Sequence, residues 1–155
     1  MSLGGGGGGG GGGEMQQITQ QIEQLEQTKQ AIEAEIEQLQ EEKREIDEAI
    51  EAVDQLESGS TVQVPIGGGA YVRAEVQDMD EIIVDLGADY SAERGKEGAT
   101  STLEAKKEKL DEEIEEFRSE IAQVETETEE LEEQAEQMQA QQLQQLQQQQ
   151  QQQDE

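Results

Sequence analysis

Residues 58–98 read SGSTVQVPIGGGAYVRAEVQDMDEIIVDLGADYSAERGKEG, and within them apolar residues alternate with polar ones. Alternation with a period of two predicts β-strands, and the glycine-rich and polar stretches between them predict turns. We therefore predict two β-hairpins, the first around the glycines at residues 67–69 and the second around residues 87–89. The predicted strands are residues 61–66, 70–76, 82–86 and 90–93.

Two small hairpins leave apolar faces and open strand edges uncovered. Isolated hairpins are marginal in water, and an unpaired edge is a template for pairing with another chain. Pro65 cannot donate a ladder hydrogen bond and so belongs on an edge or at a strand end. We therefore expect the strands to pair between subunits and close into a β-barrel body. The predicted oligomerisation residues are Val62, Val64, Ile66, Val72, Ala74, Val76, Ile82, Val84 and Leu86.

Two segments of nearly equal length flank the strand block, and both carry apolar residues in the a/d pattern of a coiled coil. Equal length favours an antiparallel pair, because neither arm then leaves an apolar stripe in water. The predicted fold is α+β: a long antiparallel coiled-coil hairpin with two β-hairpins at its bend. The first ladder comprises Ile18, Ile22, Leu25, Ile32, Ile36, Leu39, Ile46, Ile50 and Val53; the second comprises Leu103, Leu110, Ile114, Phe117, Ile121, Val124, Leu131, Ala135 and Met138.

Lysines interrupt both ladders, at Lys29 and Lys43 in the first and Lys107 in the second, and Thr128 is a further polar step. We interpret the lysines as residues that set the register of the coiled coil rather than as reactive amines.

The formal net charge is −29, and acidic residues flank the seam on both arms. Like charges across a coiled coil repel unless salt screens them, and the screening length falls from ~10 Å at 0.1 M to ~3 Å at 1 M. Our hypothesis is therefore a protein adapted to a salt-rich cytoplasm, with a merely acidic coiled coil as the alternative. The same charge argues against nucleic acid or an anionic membrane as a partner.

Composition narrows the possible chemistry. The chain of 155 residues has no Cys and no His, which excludes thiol nucleophiles, disulfides, imidazole catalysis and zinc sites built on those ligands. The many carboxylates are expected on solvated helix faces rather than in a pocket that shifts their pKa, so we expect no enzyme, no metal and no cofactor. No apolar run approaches the ~20 residues of a membrane span, and we expect a soluble cytoplasmic protein.

Both chain ends have biased composition. Gly4 to Gly13 is an unbroken glycine run that we expect to be disordered, and residues 139–153 are almost all Gln, either frayed helix or disorder. The predicted organisation is a tail at 1–14, a helix at 15–57, hairpins at 58–98, a helix at 99–139 and a tail at 140–155.

The hairpin motifs VPIGGGAYV at residues 64–72 and IVDLGADY at residues 83–90, set between two coiled-coil helices, resemble the prefoldin family, in particular its archaeal alpha subunits. The resemblance implies a hexamer of two alpha and four beta subunits with a double β-barrel body. It also implies that the protein holds unfolded chains without ATP and passes them to a group II chaperonin.

The same function is reached from the arrangement of the helices. Both chain ends would lie at the tip farthest from the strands, where coiled-coil ends fray and expose apolar residues, and flexible Met side chains suit varied clients. A passive coiled-coil scaffold or tether is the alternative, although it does not require four strands at the bend. The predicted client-binding residues are Met15, Ile18, Ile22, Met138, Leu143 and Leu146.

Overall fold

The computed structural model describes residues 10–153, with side chains from Gly12 onward. It divides into two compact units, the strand unit (Glu37–Glu115) and the terminal unit (the described part of Met1–Ile36 and Glu116–Glu155). Two long helices and two small antiparallel hairpins make up the chain, which confirms the predicted fold class. The elements are α1 (Gly10–Gln55), β1 (Thr61–Gly67), β2 (Ala70–Glu75), β3 (Ile82–Gly87), β4 (Tyr90–Arg94) and α2 (Lys96–Gln153).

The seam of each helix follows the predicted ladder. Between residues 16 and 55 of α1, every ladder position and both lysine steps are buried or half-buried, and Ala49 alone joins them. On α2 from residue 103 onward the ladder positions and polar steps are again the sheltered ones, with Lys106 added, and Ile114 is the most buried. Neither helix presents a second apolar stripe, so nearly all apolar burial along the helices lies in one seam.

The two helices run antiparallel. In the strand unit Lys43 pairs with Asp111 and Asp47 with Lys107, so four residues forward on α1 are four residues back on α2. In the terminal unit Lys29 pairs with Glu125, whereas the earlier residue Ile18 shares a groove with residues near 138. Each unit by itself therefore has the antiparallel order that the ladders predicted.

The two hairpins have the same strand pairing and similar turns. β1 pairs with β2 and β3 with β4, and each ladder is irregular just before its turn, between Pro65 and Gly67 and between Asp85 and Gly87. The first turn places three glycines, residues 67–69, at positive φ. The second turn follows with Gly87 at φ 91°, Ala88 at 51° and Asp89 at 65°, so two residues other than glycine adopt the left-handed backbone that glycine adopts freely.

Hydrogen bonds attach the hairpins to the segment that follows α1 and to α2. The amide of Gly59 donates to the carbonyl of Val76 at 2.7 Å, and the amide of Met79 donates to Ser58 Oγ at 3.1 Å. α2 then begins after Gly95, whose carbonyl accepts the amide of Ala99 at 2.8 Å. Lys106 Nζ donates to the carbonyl of Asp85 at 2.8 Å and so attaches β3 to α2.

Both helices are longer than the boundaries read from sequence. α1 begins at Gly10, so residues 10–13 are helical although glycine is a poor helix former; the rest of the glycine tail, residues 1–9, lies outside the described residues. α2 continues through the Gln tract to Gln153, because Gln has good helix propensity and each residue added to an existing helix gains one backbone hydrogen bond.

Candidate functional site

In the terminal unit, part of the predicted client-binding set lies in the helix seam. Ile18 is buried, and Met15, Ile22 and Met138 are half-buried. Ile18 and Met138 line one groove of about 510 Å³ together with Glu14 and glutamines of both helices. These side chains therefore form the last layers of the coiled coil, with an open, polar-rimmed groove beside them.

Leu143 and Leu146 lie in a different environment. They follow the last seam residue on α2 and are 60% and 58% exposed, surrounded in sequence by glutamines. Their spacing of three places them on one face of the helix. Of the six residues predicted at the tip, these two are the ones that leave apolar surface in water.

The terminal unit has a second groove, which was not predicted from the sequence. Leu25 and Leu131 lie in it beside Thr28, and its volume is about 600 Å³. Acidic and amide side chains of both helices form its rim. A sequence signal was available, because Thr128 and Ala135, the seam positions on either side of Leu131, are smaller than the usual Leu or Ile.

Each seam lysine pairs with an acidic residue of the other helix. Lys29 Nζ lies 3.2 Å from Glu125 Oε1 in the terminal unit. In the strand unit Lys107 Nζ lies 2.6 Å from Asp47 Oδ1, and Lys43 pairs with Asp111.

These contacts change the acidity of two of the lysines. Hydrogen bonding to Glu125 raises the pKa of Lys29, and hydrogen bonding to Asp47 raises the pKa of Lys107. The lysines are therefore held as ammonium ions, which suits a structural role and not that of a nucleophilic amine.

The predicted oligomerisation residues divide into two groups. Val84 is buried against the rest of the strand unit, whereas Val64, Ile66, Val72 and Leu86 are exposed. The half-buried remainder consists of Val62, Ala74, Val76 and Ile82.

Further exposed apolar side chains on the strands were not in the predicted set. Ile83 is 70% exposed and Tyr90 72% exposed, and Tyr71 is similarly open. Ile83 pairs with Glu93 and so lies on the opposite face from Val84. A tyrosine shortly after each hairpin turn was the sequence signal for two of them. Both faces of the second hairpin therefore carry apolar groups that the described part of the chain does not cover.

Among residues 12–153, no group of three or more acidic side chains is arranged to hold a metal ion. Within the same part of the chain, no helix combines the length and apolar character needed to cross a bilayer.

The chain was compared with known protein families. A family model described as "Prefoldin subunit" matches residues 25–153, which include α1 from Leu25 onward, the four strands and all of α2. The chain belongs to the prefoldin family. Prefoldins are molecular chaperones, and the resemblance inferred from the two hairpin motifs is thereby confirmed.

Similar curated proteins bear the name of one prefoldin subunit. "Prefoldin subunit alpha" of Haloarcula marismortui is 63% identical over 114 residues, 74% of either chain. The protein of the same name from Halorubrum lacusprofundi is 65% identical over 65 residues, which is 42% of this chain and 43% of that one. Both relatives come from halophilic archaea, in keeping with the acidic composition of this prefoldin.

A solved structure also matches this prefoldin. It is the cryo-EM structure of a filamentous PFD from Methanocaldococcus jannaschii, with a TM-score of 0.51 and 28% sequence identity. The match covers 76% of this chain and 93% of the other. The arrangement of two helices and two hairpins is therefore one that an experimentally determined prefoldin shares.

Proposed function

We propose that this chain is the alpha subunit of a prefoldin that captures unfolded or nascent polypeptides, prevents their aggregation without ATP and passes them to a group II chaperonin. The complex would contain two alpha and four beta subunits and work in a salt-rich cytoplasm. Family membership and the names of the relatives support this role. The observation that carries the assignment of the client surface is the exposure of Leu143 and Leu146 beyond the end of the seam.

The capture mechanism follows from that exposure. Two leucines on one helix face offer apolar surface to an unfolded chain, while the surrounding glutamines keep the free helix in solution. Full burial of a leucine side chain contributes about 1.5–3 kcal/mol, so one helix end binds weakly and releases readily. Several such ends on one body would raise the effective concentration and hold a client at many points.

The exposed strand residues suit the assembly that this function requires. Val64, Val72, Ile83 and Tyr90 leave apolar surface in water, and each hairpin has unpaired edges. Pairing with beta subunits would cover both features at once. Assembly through the strands would leave the helix ends free for clients.

Aggregation of a denatured protein, followed by light scattering in multimolar KCl without nucleotide, tests the proposal. The chain is assembled with its co-purified partner subunit before the assay. We expect suppression at near-stoichiometric ratios. A correctly assembled complex that leaves scattering unchanged would instead favour a passive coiled-coil scaffold.

A paired variant tests the client surface. Replacing Leu143 and Leu146 by Gln should weaken client capture about tenfold or more, since a loss of ~1.4 kcal/mol is a factor of ten. The matched control replaces Gln142 and Gln145 by Ala in the same helix. Equal capture by the two variants, with both complexes intact by size-exclusion chromatography, would show that the leucines are not the client surface.

A further inference from the structure

Each strand of the two hairpins has one edge without a ladder partner. In the described part of the chain both sheets have two strands, so β1 is bonded only to β2 and β3 only to β4. An open edge is a template onto which a strand of another chain can add. The backbone and side-chain groups that stand along the outer edges of β1 and β3 therefore decide where such a strand can pair.

The hydrogen bonds at the base of the first hairpin show which backbone groups of β1 face its outer edge. The amide of Val76 donates to the carbonyl of Ser60 at 2.8 Å, so these two residues form a hydrogen-bonded pair. Bonded and non-bonded pairs alternate along an antiparallel ladder. Continuing the register from this pair makes Thr61, Gln63 and Pro65 members of non-bonded pairs. Their backbone groups therefore point away from β2, toward the outer edge.

Pro65 is the member of this outward row that has no amide proton. It pairs with Tyr71 at a non-bonded place, where the missing donor costs the ladder with β2 nothing. The loss falls on the outer edge instead, because a strand that added there would lack one donor at the turn end of β1. Thr61 and Gln63, which lie farther from the turn, keep their outward amides. The outer edge of β1 is therefore open at its base and interrupted near its turn.

The second hairpin has the same spacing, and its ladder is irregular at the same distance from the turn. Asp85 pairs with Ser91 just before the irregularity, as Pro65 does with its partner in the first hairpin. Asp85 is therefore the counterpart of Pro65, and its backbone should point outward. A contact with α2 agrees with this, because the carbonyl of Asp85 accepts a hydrogen bond from Lys106 Nζ at 2.8 Å. An ammonium group thus occupies the acceptor that an added strand would need.

Proline and lysine are residues with which natural sheets protect an exposed edge from further pairing. We propose that Pro65 and Lys106 keep a further strand from pairing with the turn halves of β1 and β3, so that a second copy of this chain cannot add along the full length of either edge. This inference rests on the proposed assembly through the strands. It confines pairing on these two edges to the bases of the strands, residues 61–64 and 82–84.

Restoring the missing amide tests the role of Pro65. Pro65→Val places a donor on the outer edge of β1. Gln63→Val is the matched control, because it puts the same side chain on the same face of the strand at an exposed place that already has its amide. Sedimentation velocity of the full chain without a partner subunit, over a concentration series at one KCl concentration, measures self-association. We expect Pro65→Val to self-associate more tightly than Gln63→Val by about tenfold or more.

Hydrogen exchange followed by NMR adds a measurement that a more apolar surface alone would not change. In dilute Pro65→Val the amide of residue 65 should exchange freely, because it points away from β2, whereas the amide of Val64 is held in the ladder. At high concentration the amide of residue 65 should become protected as a further strand adds. Equal self-association of Pro65→Val and Gln63→Val, or a residue-65 amide that is protected at low concentration, would overturn the role of Pro65.

Lys106→Met tests the second hairpin. It keeps most of the length of the side chain and removes the group that donates to the carbonyl of Asp85. Lys109→Met is the control, because it removes an ammonium group from an exposed position of the same helix and gives the same net charge. We expect Lys106→Met to self-associate several-fold more tightly than Lys109→Met in the same sedimentation series. Equal self-association would overturn the role of Lys106.

If Pro65→Val precipitates, Pro65→Ser compared with Gln63→Ser provides the decision. The polar side chain restores the amide without adding apolar surface, and no difference between these two variants would refute the role of Pro65. All of these measurements use the chain without a partner subunit or a client. An assembled parent complex that fails to suppress scattering therefore counts against the proposed function, whereas unchanged self-association of the variants counts against the protection of the edges.

Discussion

The turn of the second hairpin offers a test in which the structure sets both the sign and the size of the effect. Ala88 has φ of 51°, in the left-handed region, and Gly68 occupies the matching place in the first turn with φ of 58°. An L-residue in this region costs about 1–2 kcal/mol relative to glycine. Glycine at this position offsets about 0.4–1 kcal/mol of this gain, because it raises the conformational entropy of the unfolded chain. Ala88→Gly should therefore stabilise the chain by about 0.5–1 kcal/mol.

The reverse substitution should have the opposite effect in the sister turn. A Cβ added at Gly68 would have no neighbouring atom within 4 Å, so Gly68→Ala changes the backbone energy without a steric clash. We expect it to destabilise the chain by a similar amount, about 0.5–1 kcal/mol. Ala70→Gly, at a position without positive φ, is the control and should destabilise by roughly the same amount because glycine there only adds unfolded-state entropy.

Thermal unfolding by circular dichroism, at one protein concentration and one KCl concentration, measures all three variants. A change of 1 kcal/mol corresponds to about 2–4 °C for a chain of this size. Hydrogen exchange of the β3 and β4 amides locates the effect in the second hairpin. An Ala88→Gly variant that melts with the parent or below it would refute the argument that the turn is strained at Ala88.

Three further outcomes follow from the same structure. Ile114→Ala removes the most buried seam side chain and should lower the free energy of unfolding, measured by chemical denaturation, by about 3 kcal/mol. Ile83→Ala changes an exposed strand position, so it should leave the stability of the helices unchanged and weaken subunit assembly as measured by ultracentrifugation. The pKa values of Lys29 and Lys107 are raised above the ordinary 10.5, so their charged forms stabilise the folded chain fully below that pH. This stabilisation is lost as the pH rises through the raised values. In an alkaline titration the parent should therefore unfold at a lower pH than a variant with both lysines replaced by Ile. Helicity by circular dichroism should rise with KCl concentration, and full helicity in dilute buffer would contradict adaptation to salt.

Local patterns of the sequence predicted most of the fold. The seam positions from Ile18 to Val53 and from Leu103 to Met138 are the sheltered ones, because a period of seven admits only one face of a helix to the partner. The strands begin at the residues expected, and their ends differ from prediction by one residue, since glycine and charged residues mark the turns. The helix limits were less well predicted, because propagation into the glycine and glutamine tracts depends on the helix already formed.

The predicted client-binding residues fall into two groups in the structure. Met15, Ile18, Ile22 and Met138 were grouped with Leu143 and Leu146 on sequence, yet the first four lie in or beside the seam and only the last two are exposed. Exposure depends on whether another helix covers a side chain, which the period of one helix does not report.

The sequence by itself determined that two acidic heptad arms flank two hairpins, because periodicity and turn residues are local properties of the chain. Tertiary structure decided which acid each lysine meets, which strand residues are covered and which remain open. Lys43 has several acidic residues within reach of its heptad frame, and only the register of the helices selects Asp111. Val64 and Val84 are alike in sequence, and only the packing beneath the second hairpin buries one while the other stays in water.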